Sequence, residues 1–195
     1  MIKVLSVDDT TEMSRIHMEA FSTFFLTSLG PLFVKRFYEA VLVTQKGFGI
    51  GFVENGKLGA FAVGAFEKEG FYRNVLKKHA VKLIFAAVPA FLKKPNRAFR
   101  MMKAFTAQPY NDSNKNGGVL LSICVDTQLK GRGMGKLILS AFEEKMWEGA
   151  ALLYLTTDAE KNEDVNQFYL SQGYALTTQY YQGNRKMNLY HKLRK

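Results

Sequence analysis

The sequence is poor in cysteine and contains no long hydrophobic run. A single cysteine among 195 residues excludes an intramolecular disulfide framework and a multi-cysteine zinc site. The longest apolar run, at residues 83–92, contains a proline and is shorter than the roughly 18 residues that a membrane-spanning helix requires. A secretory signal is not expected, because a short predicted strand at residues 1–7 is followed at once by Asp8 and Asp9. These features favour a reducing compartment and predict a cytoplasmic protein.

Basic residues exceed acidic residues, and the excess is concentrated in one internal segment. Lysine and arginine number 27 against 17 aspartates and glutamates, which gives a net charge of +10. Residues 67–116 carry eleven basic and three acidic side chains, a net charge of +8, whereas residues 1–66 are neutral and residues 117–195 carry +2. The chain is therefore expected to have an anionic partner: a phosphorylated ligand, a membrane surface or nucleic acid.

Length and hydrophobic periodicity predict one α/β domain with a mixed sheet. A chain of 195 residues with 47% hydrophobic residues suits a single domain, residues 1–195, better than two. The predicted order is strand, two helices, two strands, a basic helical insert at residues 67–116, then strand, helix, strand, helix and two strands. Asn55-Gly56 between two apolar runs predicts a hairpin turn, because both turn positions favour positive φ. Pro89 is expected to kink or end the first helix of the insert.

A glycine-rich turn joins a predicted buried strand at residues 119–125 to a helix predicted at residues 133–149. The turn reads Lys-Gly-Arg-Gly-Met-Gly-Lys at residues 130–136. Closely spaced glycines let the backbone approach a ligand, and the first amides of the helix point to the same place, so the turn suits a phosphate or pyrophosphate. It has neither the P-loop spacing nor the dinucleotide-binding spacing. Taken alone, the turn is equally compatible with a solvated strand–helix connection.

A second motif follows the turn in the order that a known family shows. Asn162 precedes Tyr169 by seven residues, which places the two side chains two turns apart on one helix face. Together, the two motifs resemble those of the GNAT superfamily of acyl-CoA-dependent N-acyltransferases, Q/R-x-x-G-x-G/A and N-x-x-A-x-x-x-Y. Lys130 stands at the Gln/Arg position and Val165 at the alanine position. The resemblance covers residues 119–181.

The resemblance implies a fold and a co-substrate. The fold would be a GNAT-like mixed, mostly antiparallel sheet of about seven strands with flanking helices and the helical insert between the third and fourth strands. The co-substrate would be acetyl-CoA or another short acyl-CoA, with its pantetheine arm along one strand and its pyrophosphate on the glycine turn; no metal is implied. The residues so implied in acyl-CoA binding are Ile123, Cys124, Val125, Lys130, Gly131, Arg132, Gly133, Met134, Gly135, Lys136, Asn162 and Tyr169.

The chemistry implied by the resemblance is direct attack of an amine on the thioester carbonyl. Tyr169 is the family-matched general acid for the departing thiolate, and the alternative for this residue is a core tyrosine. A backbone amide of Cys124 or Val125 is expected to bind the oxyanion. The strand before the turn has no carboxylate, so the general base stays open. The candidates are Ser122 acting through a water, Asp158, His17, or an amine that arrives neutral or loses its proton through a water chain.

The resemblance implies an acceptor site lined by the region between the first two helices and by the last hairpin. The candidate residues are Phe24, Phe25, Asp158 and Tyr181. Exposed aromatic rings there would stack on a sugar or base, although core positions for Phe24 and Phe25 are equally compatible with the sequence.

The beginning of the chain and the basic insert are similar to GNAT proteins of sugar N-acylation in surface-polysaccharide pathways. This similarity implies a small-molecule amine as acceptor, an amino sugar on a nucleotide diphosphate such as a dTDP- or UDP-amino sugar. The alternatives are a protein or peptide amine, a non-catalytic acyl-CoA sensor, and a membrane- or nucleic-acid-binding module. Nucleic acid is the less favoured anion, and peripheral membrane contact through residues 67–116 stays open.

Overall fold

The computed structural model describes residues 1–22, 24–67, 70–93 and 117–194. These residues form a seven-stranded sheet in the order β1-β2-β3-β4-β5-β7-β6. The strands are β1 (Ile2–Val4), β2 (Gly47–Glu54), β3 (Lys57–Ala65), β4 (Gly118–Val125), β5 (Leu152–Asp158), β6 (Ala175–Gln182) and β7 (Arg185–Leu193). Every neighbouring pair is antiparallel except β4 and β5. The predicted mixed, mostly antiparallel sheet is therefore confirmed.

Six α-helices flank the sheet in the described ranges. They are α1 (Thr10–Ala20), α2 (Phe25–Ser28), α3 (Pro31–Val43), α4 (Phe71–Lys93), α5 (Met134–Met146) and α6 (Glu163–Ser171). Short 3-10 turns precede α1 and α5. None of the helices in the described part of the chain is long and apolar enough to cross a membrane.

The sheet separates two hydrophobic clusters, because strand side chains alternate between its faces. Helices α1, α3 and α4 cover one face, where Phe61 and Val63 of β3 point. Helix α5 covers the other face, where Ala60 and Ala62 point, and α6 contributes Tyr169 to the same cluster. The two faces therefore carry different helices, and a residue of β4 can be assigned to one side or the other.

The structure agrees with the hairpin predicted from sequence but differs from the prediction made for Pro89. Asn55 and Gly56 adopt φ angles of 50° and 75°, which confirms the predicted hairpin between β2 and β3. Helix α4 lies between β3 and β4, as predicted for the insert, but it runs through Pro89. Of the two expected outcomes, an end of the helix at Pro89 is therefore wrong, and a kink there stays a prediction. The neighbouring Ala86 and Ala87 are buried in the core, and their packing offsets the backbone hydrogen bond that proline lacks. Residues 94–116 of the predicted insert lie outside the described residues.

A bulge on β4 decides the shape of the sheet at its centre. Val63 pairs with Ser122 and Gly64 with Leu120, so Leu121 is an extra residue in β4. The parallel pairing of β4 with β5 also ends here, at Leu120 and its partner on β5. Beyond this point β4 stays paired with β3, and β5 stays paired with β7. A cleft therefore opens between β4 residues 121–125 and β5 residues 156–158, which is called the β4–β5 cleft below.

Candidate active site

The edge of β4 along the cleft carries the residues expected to meet the pantetheine arm. Ile123 and Val125 pack with the cluster on the α5 side, and Cys124 is buried in the cluster on the α1 side. The side of β4 residues 121–125 that faces β5 pairs with no other strand among the described residues. The backbone amides and carbonyls on this side are therefore available to an extended ligand. A buried backbone group requires a partner, and a chain with amide groups of its own would supply one.

The glycine turn meets the physical requirements of an anion site at the start of α5. Gly131 and Gly133 adopt φ angles of 78° and 76°, which L side chains rarely adopt, and a Cβ at either position would meet nothing within 4 Å. The turn is therefore tightly wound, and the space beside both glycines is open. Met134, Gly135 and Lys136 follow as the first turn of α5, where the backbone amides have no partner within the helix.

Cations surround the glycine turn, and an ion pair fixes its beginning. Lys130, Arg132 and Lys136 are exposed and belong to none of the ion pairs found in the described residues. Arg15 of α1 donates a hydrogen bond of 2.7 Å to Asp126, which also accepts from a backbone amide of the following 3-10 turn. The Arg15 guanidinium lowers the pKa of Asp126, so the carboxylate stays charged and anchors the turn to α1.

Tyr169 lies buried beside the cleft with its hydroxyl protonated. Burial raises the pKa of Tyr169, and the nearby Cys124 thiol adds to the effect. Tyr169 belongs to the cluster on the α5 side and Cys124 to the cluster on the α1 side, so the two side chains lie on opposite sides of the sheet. The Tyr169 ring makes edge-to-face contacts with Phe168 and Tyr174, at centroid distances of 5.3 and 5.6 Å. This position allows proton donation from a fixed side chain.

Asn162 fastens the beginning of α6 to the end of β5. Its Nδ2 donates to the Thr157 hydroxyl at 2.7 Å and to the Asp158 carbonyl at 3.2 Å. Asn166 donates to the same Asp158 carbonyl at 3.0 Å. The amide nitrogen of Asn162 is thus engaged within the protein and orients the helix that carries Tyr169, which leaves its Oδ1 as the atom to meet a ligand.

Two of the acceptor residues expected from sequence, Phe24 and Asp158, come together through an arginine that the sequence analysis did not single out. Arg185, the first residue of β7, donates to both carboxylate oxygens of Asp158, at 2.9 and 2.6 Å. Its guanidinium also lies over the ring of Phe24, at 5.9 Å from the centroid. Phe24 is 38% and Tyr181 72% exposed, so neither is a core residue. Phe25 is the first residue of α2, and its side chain lies outside the described part of the structure.

Arg185 carried little signal in the sequence, because it is one of ten cations in the last part of the chain. Only its contacts with the end of β5 and with the residue before α2 distinguish it. The core alternative for Phe24 does not hold, since the residue stays 38% exposed beside the arginine.

A buried polar cluster faces β4 from the α1 side and includes two candidates for the general base. The Tyr38 hydroxyl lies 2.6 Å from His17 Nδ1 and donates to Ser122 Oγ at 2.9 Å, and Ser122 lies 3.5 Å from Cys124 Sγ. Burial lowers the pKa of His17 to about 4, which makes the imidazole neutral and weakly basic at pH 7. Its Nε2 is buried without a hydrogen-bond partner among the described residues.

Cys124 does not have the properties of a nucleophile. Burial raises the pKa of its thiol to about 12, so it remains protonated at neutral pH. The residue is therefore a small buried strand residue. Asp158, another candidate base, is engaged by Arg185 through two charge-assisted hydrogen bonds.

A cleft between two separating parallel strands, with a cationic glycine turn at one end, is the architecture of an acyl-CoA-dependent N-acyltransferase. A family model described as "Acetyltransferase (GNAT) family" matches residues 11–174, and the chain belongs to this family. Its members use acetyl-CoA or another acyl-CoA to acylate amines. The described residues contain no group of three or more His, Cys, Asp and Glu side chains that could hold a metal ion.

Solved structures of similar fold include acetyltransferases with different acceptors. The ribosomal-protein-S18-alanine N-acetyltransferase from Escherichia coli has a TM-score of 0.60 and 18% identity, over 99% of this chain and 92% of that chain. Ard1 from Thermoplasma volcanium has 0.56 and 14%, over 99% and 96%. Aminoglycoside 6'-acetyltransferase type Ii has 0.64 and 12%, over 99% and 96%. At these identities the similarity concerns the fold alone. No curated protein sequence matches the chain.

Proposed function

We propose that this GNAT acetyltransferase, as a single domain of residues 1–195, acylates the amino group of an amino sugar carried on a nucleotide diphosphate. The acyl donor is acetyl-CoA or a short hydroxyacyl-CoA. The observation that carries the proposal is the β4–β5 cleft, with a cationic glycine turn on one side and the Phe24–Arg185–Asp158 group at the mouth of the acceptor side. In this proposal, the glycine turn binds the phosphates of acyl-CoA, and Arg185 binds the diphosphate of the acceptor.

Acyl-CoA binding uses mainly backbone groups. The amides and carbonyls of Ile123, Cys124 and Val125 pair with the pantetheine arm as a further strand would. The amides of residues 131–136 bind the pyrophosphate at the positive end of the α5 dipole, and Lys130, Arg132 and Lys136 add full charges. Asn162 contacts the pantetheine arm through its Oδ1.

The transfer forms a bond between the amine nitrogen and the thioester carbonyl carbon and breaks the bond between that carbon and sulfur. The amide of Cys124 or Val125 donates to the developing oxyanion. An amine that arrives protonated first gives one proton to water and attacks in its neutral form. Tyr169 gives its proton to the departing sulfur, and the second proton that leaves the nitrogen passes to water, from which Tyr169 is reprotonated. The low basicity of His17 and the ion pair of Asp158 favour this water route over a side-chain base.

The acceptor side suits a planar, anionic ligand. Arg185 offers the planar guanidinium that binds diphosphates with two parallel hydrogen bonds, and the exposed rings of Phe24 and Tyr181 are able to stack on a base or sugar. Asp158 is placed to attract the protonated amino group of an arriving amino sugar. An acceptor without phosphate would leave the guanidinium with Asp158 and the ring of Phe24 as its partners.

Thiol release from acetyl-CoA tests the proposal with a panel of amines. The panel contains dTDP- and UDP-amino sugars, the same sugars without the diphosphate, UDP-sugars with a hydroxyl in place of the amine, and peptides with a free N-terminus or lysine. We expect turnover with the nucleotide amino sugars and none with the hydroxyl analogues. Preference for the peptides would assign a protein N-acyltransferase, and binding of acetyl-CoA without consumption of any amine would assign a non-catalytic sensor.

The variant Arg185→Ala makes the acceptor test specific. We expect KM for the nucleotide amino sugar to rise at least tenfold while KM for acetyl-CoA stays the same, since a lost charge-assisted pair is worth about 1.5–3 kcal/mol. Arg194→Ala, at the other end of β7, serves as the control because its guanidinium bonds a backbone carbonyl of Trp147. Equal KM values for Arg185→Ala and the wild type would remove Arg185 from the acceptor site.

A further inference from the structure

Helix α4 exposes large apolar side chains on the side that faces away from the sheet. Val81 is 68%, Phe85 72% and Leu92 80% exposed. These positions, with Ile84 and Val88, recur every three or four residues and therefore form one stripe along the helix. The opposite side of α4 is also apolar and packs in the core of the protein. A helix that packs on one side normally has a polar outer side, so the exposed apolar stripe indicates a binding surface.

Three lysines share the outward side of α4 with the apolar stripe. Lys77, Lys78 and Lys82 are exposed and take part in none of the ion pairs formed by the described residues. In the sequence, residues 71–111 contain nine lysines and arginines and no aspartate or glutamate. The outward face of α4 consists of Lys77, Lys78, Val81, Lys82, Ile84, Phe85, Val88 and Leu92. It is cationic toward its N-terminus and apolar toward its C-terminus.

We propose that the outward face of α4 is a docking surface for an anionic lipid bilayer. The stripe from Val81 to Leu92 is about 16 Å long at 1.5 Å per residue, which is too short to span a bilayer and suited to lie in its interface. Its aliphatic and aromatic side chains enter the boundary of the acyl chains, and the lysines meet the lipid phosphates. Nucleic acid would use the cations but would not favour burial of valine and leucine.

Charge complementarity favours a bilayer over two other candidates for binding to this face: residues 94–116 of the same chain and a second copy of the protein. The segment 94–116 is basic, with five cations and one acidic residue, so its approach to Lys77, Lys78 and Lys82 brings like charges together. A second copy would do the same, because two outward faces carry the same lysines. An anionic surface with an apolar interior has neither problem. The docking surface is independent of the acyl-transfer chemistry, so each can fail without the other.

Vesicle co-sedimentation of the full chain tests the surface. We expect the protein to pellet with vesicles of phosphatidylcholine containing about 30% phosphatidylserine, and to remain in solution with phosphatidylcholine alone. Raising the salt from about 0.15 to 0.5 M should lower the bound fraction several-fold, because the charge attraction is screened. Equal binding to neutral and anionic vesicles, or no binding to either, would overturn the proposal.

Two double variants separate the apolar and the cationic parts of the outward face. Phe85→Ser with Leu92→Ser, and Lys78→Glu with Lys82→Glu, should each lower vesicle binding at least tenfold. The changed side chains are exposed, so folding and acetyl-CoA affinity should stay at wild-type values. The matched control is Val4→Ser with Lys57→Glu, because both residues are exposed and lie on strands β1 and β3 and not on α4.

Two further outcomes would also contradict binding of the bilayer to the outward face of α4. Wild-type binding by either α4 variant would overturn the proposal. The same is true if the wild type self-associates in sedimentation velocity experiments and Phe85→Ser with Leu92→Ser abolishes the association, since the stripe would then be an interface between two copies.

Discussion

Tyr169 carries the proposed proton donation through one atom, its hydroxyl oxygen. Tyr169→Phe removes this atom and keeps the ring that packs against Phe168 and Tyr174. We expect kcat to fall by roughly 100-fold or more, because general acid catalysis contributes about 10² to 10⁴ in rate, with little change in the Kd of acetyl-CoA. Steady-state thiol release and calorimetric binding measure the two quantities.

A matched tyrosine provides the control for Tyr169. The Tyr174 hydroxyl bonds Glu143 of α5 at 2.8 Å. Tyr174→Phe should lower the free energy of unfolding by about 1 kcal/mol and leave kcat unchanged. Full turnover by Tyr169→Phe would return Tyr169 to the role of a core tyrosine.

His17 makes the stability of the protein sensitive to acid. Its pKa is about 4 in the folded protein, below its ordinary value of 6.5, because the charged form is poorly solvated in the core. The unfolded chain therefore takes up the proton first on acidification. The stabilisation is complete above about pH 6.5 and decreases as the pH falls toward 4, by roughly 2–3 kcal/mol at pH 4.5.

Urea unfolding at pH 7 and pH 4.5 measures this contribution. Other groups also respond to acid, including Asp9 and Asp126 with their lowered pKa values, so the comparison is between variants. His17→Gln should lose less stability between the two pH values than the wild type does. His79→Gln, at a partly buried position on α4, should behave as the wild type. The same pH dependence in all three proteins would contradict the assignment.

The glycine turn and the beginning of α5 form one element. The proposed anion binding there depends on the open space beside the glycines and on the direction of the first backbone amides of α5. Gly133→Asp places a carboxylate where the anion should bind, at the positive end of α5. We expect the Kd of acetyl-CoA to rise by more than 100-fold in a titration. Gly56→Asp is the matched control, because Gly56 has a φ of 75° and a Cβ there would also meet nothing within 4 Å. It shares the backbone strain and should bind acetyl-CoA normally; retained affinity in Gly133→Asp would contradict the anion site.

At the level of elements, the sequence predicts local signals well and misses tertiary ones. The hairpin at Asn55-Gly56 follows from φ preferences that are local to those residues. Helix α4 passes through Pro89 because core contacts made by distant residues outweigh a local penalty. The bulge at Leu121 has no residue type that marks it in the sequence, since it arises from the pairing of β4 with β3.

Across the whole molecule, acyl-CoA should stabilise the folded state by linkage. The β4–β5 cleft exists only when the sheet is formed, so the unfolded chain offers no equivalent site. At a concentration of acetyl-CoA about 100 times its Kd, the expected gain is about 2.7 kcal/mol, or roughly 5–10 °C in Tm for a chain of this size. Differential scanning fluorimetry measures the shift. An absent shift in the wild type at saturating acetyl-CoA would contradict binding in the cleft.

The positive charge of the molecule falls into two separate groups. The cations at the glycine turn lie beside the cleft, whereas the excess of residues 67–116 continues into the outward face of α4. A single anionic partner is therefore not required to account for a net charge of +10. Salt should weaken vesicle binding and acetyl-CoA binding independently, because the two groups of lysines and arginines belong to different elements.

The sequence by itself determined the family motifs, the order of the elements and the place of the positive charge, because these depend on residue types at fixed spacing. Tertiary structure alone decided that β4 and β5 separate, that Arg185 joins Phe24 to Asp158, and that His17, Tyr38 and Ser122 meet behind β4. These contacts join residues that are distant in the chain, and no local preference specifies which distant partner a side chain will meet. The sheet brings them together when its two faces are buried.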